Sequence, residues 1–118
     1  MIVKSYKDLT VWQKSFNLTL NVYKLTAQFP VSEKYGLASQ MQRCAVSIPS
    51  NIAEGQQRNN PKEFKQFLGI AKGSTGELET QLLLAKEIYK LDVSSELDVI
   101  LEIHKMLAVL IRTISQIN

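Results

Sequence analysis

Hydrophobic side chains recur every three or four residues along this chain, and no segment shows the strict alternation of a half-buried strand. Four segments with this spacing are present, which predicts an all-α protein. The first helix is expected from about residue 9 to residue 28. Asp8 is a candidate cap for its start, and Pro30 lies just beyond its end. The apolar positions that recur on one side are Leu9, Trp12, Phe16, Leu20, Tyr23 and Ala27.

The second segment contains a proline inside an otherwise helical pattern. It is expected to begin near Ser32 and to end between residues 55 and 60. Because proline has no amide hydrogen and its ring crowds the carbonyl of Ala45, we expect the helix to kink or restart at Pro49. The apolar row of this helix is Leu37, Met41, Cys44, Ile48 and Ile52.

Two further helices complete the pattern. Asn60 is a candidate cap for the third, with Pro61 at its first position, and this helix continues to about Leu91. The fourth runs from Ser94 or Ser95 to the end, with an apolar arc wider than one neighbour would cover. At 118 residues the chain is predicted to form one domain over residues 1–118. Because the connections are short, consecutive helices must run antiparallel, and we expect an up-down-up-down four-helix bundle.

A polar stripe borders the apolar row of the second helix. On a helical wheel its members fall within an arc of about 80°, and they are Gln40, Arg43, Ser47, Asn51 and Glu54. Short polar groups are poor choices for an exposed helix interior, and an unpaired buried one costs about 1 to 3 kcal/mol. We therefore interpret the stripe as a structural polar network rather than a solvated face. Arg43 is expected to pair with Glu77 of the third helix or with Glu54.

Three glycines lie within the third helix, at positions 69, 73 and 76. Each costs about 1 kcal/mol relative to alanine in a helix interior, and a close backbone approach would compensate for that loss. In the alternative interpretation, residues 73–76 form a loop that cradles a phosphate. That loop would lack the Lys-Ser/Thr ending of a phosphate-binding loop and would follow no strand.

Charge and composition narrow the function classes. The 118 residues carry 14 basic and 11 acidic side chains, and the surplus is +4 over residues 1–60 and −1 over residues 61–118. A basic balance favours a polyanionic partner. With one cysteine, no signal-like start and no apolar run near the roughly 18 residues of a membrane span, we expect a soluble cytoplasmic protein.

The titratable residues predict no catalytic site. The single histidine, His104, occupies an apolar helix position, and Cys44 is interpreted as core packing. Glu54, Glu77 and Glu79 could bind a metal, but structural pairing is the simpler explanation. No nucleophile, base and orienting group can be assembled, so we expect a protein that is not an enzyme and needs no cofactor or metal.

Long segments of the chain nevertheless resemble a known family. They are residues 6–14 (YKDLTVWQK), 29–30 with 33–37, 40–55 (QMQRCAVSIPSNIAEG) and 71–79 (AKGSTGELE). Together they look like the bacterial four-helix-bundle proteins first noticed as reading frames inside intervening sequences of 23S ribosomal RNA genes. The family's polar motif matches Arg43, Ser47, Asn51 and Glu54, and its Gly-Ser segment matches Gly73, Ser74, Glu77 and Glu79. Cys44 stands where many relatives have alanine.

The resemblance implies a ring-like homopentamer. It also implies a similarity to the accessory variability protein of diversity-generating retroelements, a basic pentamer that binds nucleic acid and a reverse transcriptase. Five copies at +3 each would carry about +15. We expect RNA or DNA to bind along a basic rim; a protein-interaction scaffold with no nucleic-acid role is the alternative. The residues expected to form that rim are Lys4, Lys7, Lys14, Arg58, Lys62 and Lys65.

Overall fold

The computed structural model describes residues 5–116, and four helices account for most of them. They are α1 (Thr10–Thr26), α2 (Leu37–Gln57), α3 (Pro61–Tyr89) and α4 (Ser94–Ser115). Short 3₁₀ turns at Tyr6–Asp8 and Val31–Glu33 precede α1 and α2. The described residues contain no strand, so the predicted all-α class is confirmed. Lys4 lies outside the described residues.

The helices pack as a four-helix bundle around one core. α1 and α3 each contact both α2 and α4, so every helix has two neighbours. The bundle measures 49 × 21 × 19 Å. Where α1 contacts α2, Thr19 hydrogen-bonds to Ala45 and Thr26 to Gln42. The residue numbers rise along α1 while they fall along α2, as they do in an antiparallel pair. The antiparallel order of all four helices and a kink at Pro49 stay predictions.

The buried side of α1 differs from the side that its aromatic spacing indicates. The helix buries Val11, Leu18, Val22 and Leu25, whereas the expected row lies about two fifths of a turn away around the helix. Within that row Phe16 is 45% exposed. Both rows satisfy a spacing of three and four, so periodicity alone does not separate them. α1 therefore carries a second apolar face, of which Leu9 and Trp12 pack against the core while Phe16, Leu20 and Tyr23 lie about half exposed.

α2 begins five residues later than the spacing predicts. Residues 31–33 form a 3₁₀ turn instead of the first helical turn, and Gly36 precedes α2 with φ −110° and ψ −121°. That backbone conformation interrupts the helix. The Glu33 carboxylate accepts a bond from the amide of Leu37 at 3.4 Å and another from the hydroxyl of Tyr89. The turn is thereby tied to the end of α3.

The turn between α2 and α3 follows the sequence signals closely. The Asn60 side chain accepts a bond from the amide of Glu63 at 3.1 Å, as a helix cap does, and Pro61 occupies the first position. A Cβ at Gly55 would lie 2.7 Å from the Cβ of Phe67. Glycine is therefore required where the two helices meet.

α3 is a continuous helix through residues 73–76, so these residues do not form the alternative phosphate loop. A Cβ added at Gly69, Gly73 or Gly76 would meet no atom within 4 Å. The close approach that we expected at these glycines is absent from the described part of the chain. None of the helices within residues 5–116 combines the length and apolarity needed to cross a membrane.

Candidate functional site

A polar seam joins α2 to α3, and we define it as Cys44, Ser47 and Asn51 of α2 with Ser74 of α3. The Ser47 hydroxyl lies 2.6 Å from the carbonyl oxygen of Cys44 and 2.8 Å from the hydroxyl of Ser74. The Asn51 amide donates to the carbonyl of Ser47 at 2.7 Å. Two members of the predicted network, Ser47 and Asn51, are thus brought together, and both are partly buried.

The other four members of the predicted network lie on the surface: Gln40, Arg43, Glu54 and Glu77. Glu54 pairs with Arg58 at 3.0 Å. Over residues 5–116, no ion pair joins Arg43 to Glu54 or to Glu77. A paired Arg43 stays a prediction, and an exposed guanidinium is free to find its partner outside the chain.

Gln81 extends the polar character of α3 beyond the seam. Its side-chain nitrogen lies 3.5 Å from a Glu77 oxygen. Its carbonyl oxygen is buried and makes no hydrogen bond among the described residues. An unpaired buried acceptor costs free energy, so this position is a weak point in the packing of the isolated chain.

Cys44 is held as a neutral thiol within the seam. Its sulfur donates to the carbonyl of Ser74 at 3.2 Å, and the residue is 4% exposed. Burial, together with charge repulsion by and hydrogen bonding to the nearby Glu77 carboxylate, raises the pKa of the Cys44 thiol to about 12. A thiol in this setting is neither a nucleophile nor a metal ligand near neutral pH.

Pro49 leaves a backbone acceptor unpaired inside α2, and another helix satisfies it. Residue 49 has no amide hydrogen, so the carbonyl of Ala45 loses its helical partner. Ala45 is 1% exposed and has little access to water. The Thr19 hydroxyl lies 3.1 Å from the Ala45 carbonyl and 2.8 Å from that of Ser15, and its single hydrogen is shared between these two acceptors. One hydroxyl of α1 therefore compensates in part for the proline of α2.

His104 is anchored by α3. The Thr75 hydroxyl lies 2.5 Å from the carbonyl of Lys72 and 2.8 Å from Nδ1 of His104. When the hydroxyl donates to the carbonyl, Nδ1 carries the hydrogen that reaches Thr75. The adjacent cavity, about 170 Å³, is lined by Glu79 and Leu101. Residues 5–116 contain no group of three His, Cys, Asp or Glu side chains placed to hold a metal ion.

The expected basic rim is only partly free of acidic partners. Lys14 contacts Glu102 at 2.9 Å. Arg58 contacts Glu54 and Glu63, and its guanidinium lies 5.1 Å from the ring centre of Phe67. The remaining members within the described residues are exposed and make no ion pair there: Lys7, Lys62 and Lys65.

No sequence pattern marks several of the residues that form these sites. Thr19 and Thr75 are ordinary helix residues until a neighbouring helix supplies the carbonyl or imidazole that they contact. Ser74 was noticed only as part of a glycine-rich segment. The proline at position 49 was the one usable signal, since an interior proline requires some donor for the carbonyl four residues earlier.

These features define a four-helix-bundle protein with a partly buried polar seam between α2 and α3. The chain belongs to the family of 23S rRNA-intervening sequence proteins, whose model matches residues 7–112. The match covers all four helices except the last turn of α4.

A solved structure has the same fold. It is the crystal structure of a protein of unknown function, from the S23 ribosomal protein family, of Bacteroides thetaiotaomicron. The two chains are 24% identical with a TM-score of 0.80, and the likeness covers 87% of this chain and 99% of the other. Among proteins of curated function, none matches. Neither the family nor the neighbour indicates an enzyme.

Thr19→Val tests the compensation for Pro49. Valine keeps the shape of the side chain but leaves the buried Ala45 carbonyl without a donor, so we expect a loss of about 1 to 3 kcal/mol in the free energy of unfolding. Urea denaturation measures it. In a Pro49→Ala background the amide of residue 49 can bond Ala45, so Thr19→Val should cost clearly less. Equal costs in the two backgrounds would contradict the assignment.

Cys44 should resist alkylation in the native protein. With a pKa of about 12, about one thiol in ten thousand is ionised at pH 8. We expect iodoacetamide to modify Cys44 far more slowly in the folded protein than in urea, as followed by mass spectrometry. Glu77→Gln removes the neighbouring charge and should lower the pH at which native alkylation begins. Equal rates in folded and unfolded protein would disprove the buried neutral thiol.

Proposed function

We propose that this chain is a non-enzymatic, homo-oligomeric module that binds nucleic acid through a basic surface. The exposed lysines at the start of α3, Lys62 and Lys65, carry the proposal because they combine positive charge with freedom from acidic partners. Family membership supports an oligomeric bundle, and the similarity to the retroelement accessory protein supports a homopentamer. The cytoplasm is the expected compartment.

Self-association is proposed through the outer face of α3, which we define as Gly69, Ile70, Gly73, Gly76, Leu83, Leu84 and Ile88. The four large side chains on this face are 45 to 55% exposed. The three glycines leave open space between them. Apolar patches of this kind mark interaction sites, and small residues let another helix approach closely. Within residues 5–116 no neighbouring helix packs against these glycines to offset their cost, so a second copy is the proposed neighbour.

Nucleic-acid binding is proposed at the turn between α2 and α3 and at the start of α1. Lys62 and Lys65 lie one turn apart on α3, close to Arg58. Lys7 lies beside Tyr6, with its ammonium 6.0 Å from the ring centre. Each lysine that contacts a phosphate releases counterions, which makes binding dependent on salt. Repetition of this surface around a pentamer would multiply the number of contacts.

A scaffold that binds a partner protein, such as a reverse transcriptase, is the second candidate. The exposed apolar side chains of α1 favour it, because Phe16, Leu20 and Tyr23 lie 45 to 50% exposed on one face. The two candidates differ in salt dependence. Two results together would favour the scaffold. Affinity purification would recover a stoichiometric protein partner that remains bound after nuclease treatment, and the chain would bind no oligonucleotide at low salt.

Leu84→Glu tests the assembly surface. We expect the wild-type protein to sediment at about five times the 13.3 kDa mass of one chain. A buried charge at the centre of the interface should shift the mass towards that of one chain. Lys86→Glu places the same charge on α3 away from the outer face and should leave the assembly intact. A monomeric wild-type protein would contradict the proposed oligomer.

Replacing Lys62 and Lys65 together with alanine tests the nucleic-acid surface. We expect weaker binding to every sequence. The slope of log affinity against log salt should also decrease, by about 0.7 to 0.9 for each lysine that contacts a phosphate. Filter binding over a salt series measures both. Exchanging Lys86 and Lys105 for alanine removes the same charge elsewhere and is the control. An unchanged slope in the first variant would refute this surface.

A further inference from the structure

Three aromatic rings form a continuous surface along the groove between α1 and α2. Trp12 lies between Tyr6 and Phe16, with ring centres 5.3 and 5.1 Å from its own. Val46 and Ala53 of α2 form the opposite wall, and the volume of the groove is about 300 Å³. We call this feature the aromatic groove. Only part of it is needed by the core, because the Phe16 ring is 45% exposed.

The two helices that form the aromatic groove carry little negative charge. α1 contains no acidic residue, and α2 contains only Glu54, which Arg58 neutralises; Asp8 is exposed in the turn that holds Tyr6. Of the three basic residues on these helices, Lys14 pairs with Glu102, and Lys24 and Arg43 are exposed with no ion pair within residues 5–116. α3 and α4 together carry seven acidic and six basic residues. The positive side of the bundle is therefore the side on which the aromatic groove opens.

We propose that the aromatic groove binds single-stranded nucleic acid by stacking unpaired bases on Phe16 and Trp12. This inference rests on the proposed nucleic-acid function and adds the class of ligand. Aromatic side chains accept the face of any base, while nearby cations follow the phosphates. A duplex keeps its bases stacked on each other and cannot offer those faces. The half-exposed Phe16 ring, beside a half-buried Trp12 and in a positive setting, thus favours a single strand, which offers unpaired bases together with phosphates.

The rings are also placed for stacking in succession. Phe16 follows Trp12 by one helical turn, and the planes of the two rings are 31° apart. The Tyr6 ring is inclined by 60° to that of Trp12 and closes one end of the row. The other end continues past Phe16 to Leu20, which is 50% exposed. A strand therefore has an open direction along α1 in which to continue.

Trp12 is the only tryptophan of the chain, so its fluorescence reports on the aromatic groove alone. The probe is a deoxythymidine oligonucleotide of about 20 nucleotides, longer than most sites of this kind. The comparison is a hairpin duplex with the same number of phosphates. We expect the single strand to quench Trp12 emission saturably at low salt, and the duplex to bind more weakly without quenching.

Phe16→Leu and Phe16→Tyr form a matched pair. Leucine keeps an apolar side chain at a half-exposed position but removes the ring, and should weaken single-strand binding about fivefold or more. Tyrosine keeps the ring and should preserve binding. Circular dichroism melting should match the wild type for both. Equal binding by the leucine variant would overturn the stacking role.

The outcomes also separate this inference from the function on which it rests. Salt-dependent binding of single strand and duplex alike, with unchanged Trp12 emission, would overturn the aromatic groove and leave the basic surface standing. Absence of binding to either probe would overturn both. In a further outcome, Trp12 emission changes with protein concentration when no oligonucleotide is present. If that change follows the mass measured by light scattering, the groove binds a second copy of the chain, and the inference is overturned.

Discussion

The hydrogen bond from Thr19 to the Ala45 carbonyl is the constraint on which the α1–α2 contact depends. α2 contributes to the core on two sides, towards α1 and towards α3, and contains an interior proline. A buried carbonyl without a donor would weaken the helix at its centre. Because the donor comes from α1, the continuity of α2 and its packing against α1 are not independent. If α1 moves away from α2, the Ala45 carbonyl loses its donor and α2 is weakened at its centre.

The α2–α3 contact is built by other means. Gly55 allows close approach at one end, the polar seam joins the middle, and Glu33 with Tyr89 joins the far end. Each of these three contacts is made between residues of the same chain. Arg43, which makes no ion pair within residues 5–116, lies on the surface outside these contacts. Among the described residues the buried carbonyl oxygen of Gln81 makes no hydrogen bond, and large apolar side chains of α1 and α3 lie exposed.

Local signals predicted the fold well and the surfaces poorly. The start of α3 followed from Asn60 and Pro61, because a cap acts within one helical turn. The buried face of α1 did not follow from the sequence, since its two apolar rows have the same spacing and only the neighbouring helices select between them. Ser47 and Asn51 were recognised as partly buried polar residues. Their partner Ser74 required the tertiary structure.

The three glycines of α3 also have a consequence for motion. They lie at successive turns in the middle of the longest helix and receive no support from neighbouring side chains. Glycine weakens a helix interior, and local opening begins where few contacts hold the backbone. In a lone chain the amides on the glycine face of α3 should therefore exchange their hydrogens sooner than those on its buried face, where Ala71, Thr75 and Leu78 pack in the core. A covering neighbour would slow the exchange on the glycine face, so hydrogen exchange would distinguish the free subunit from the assembled one.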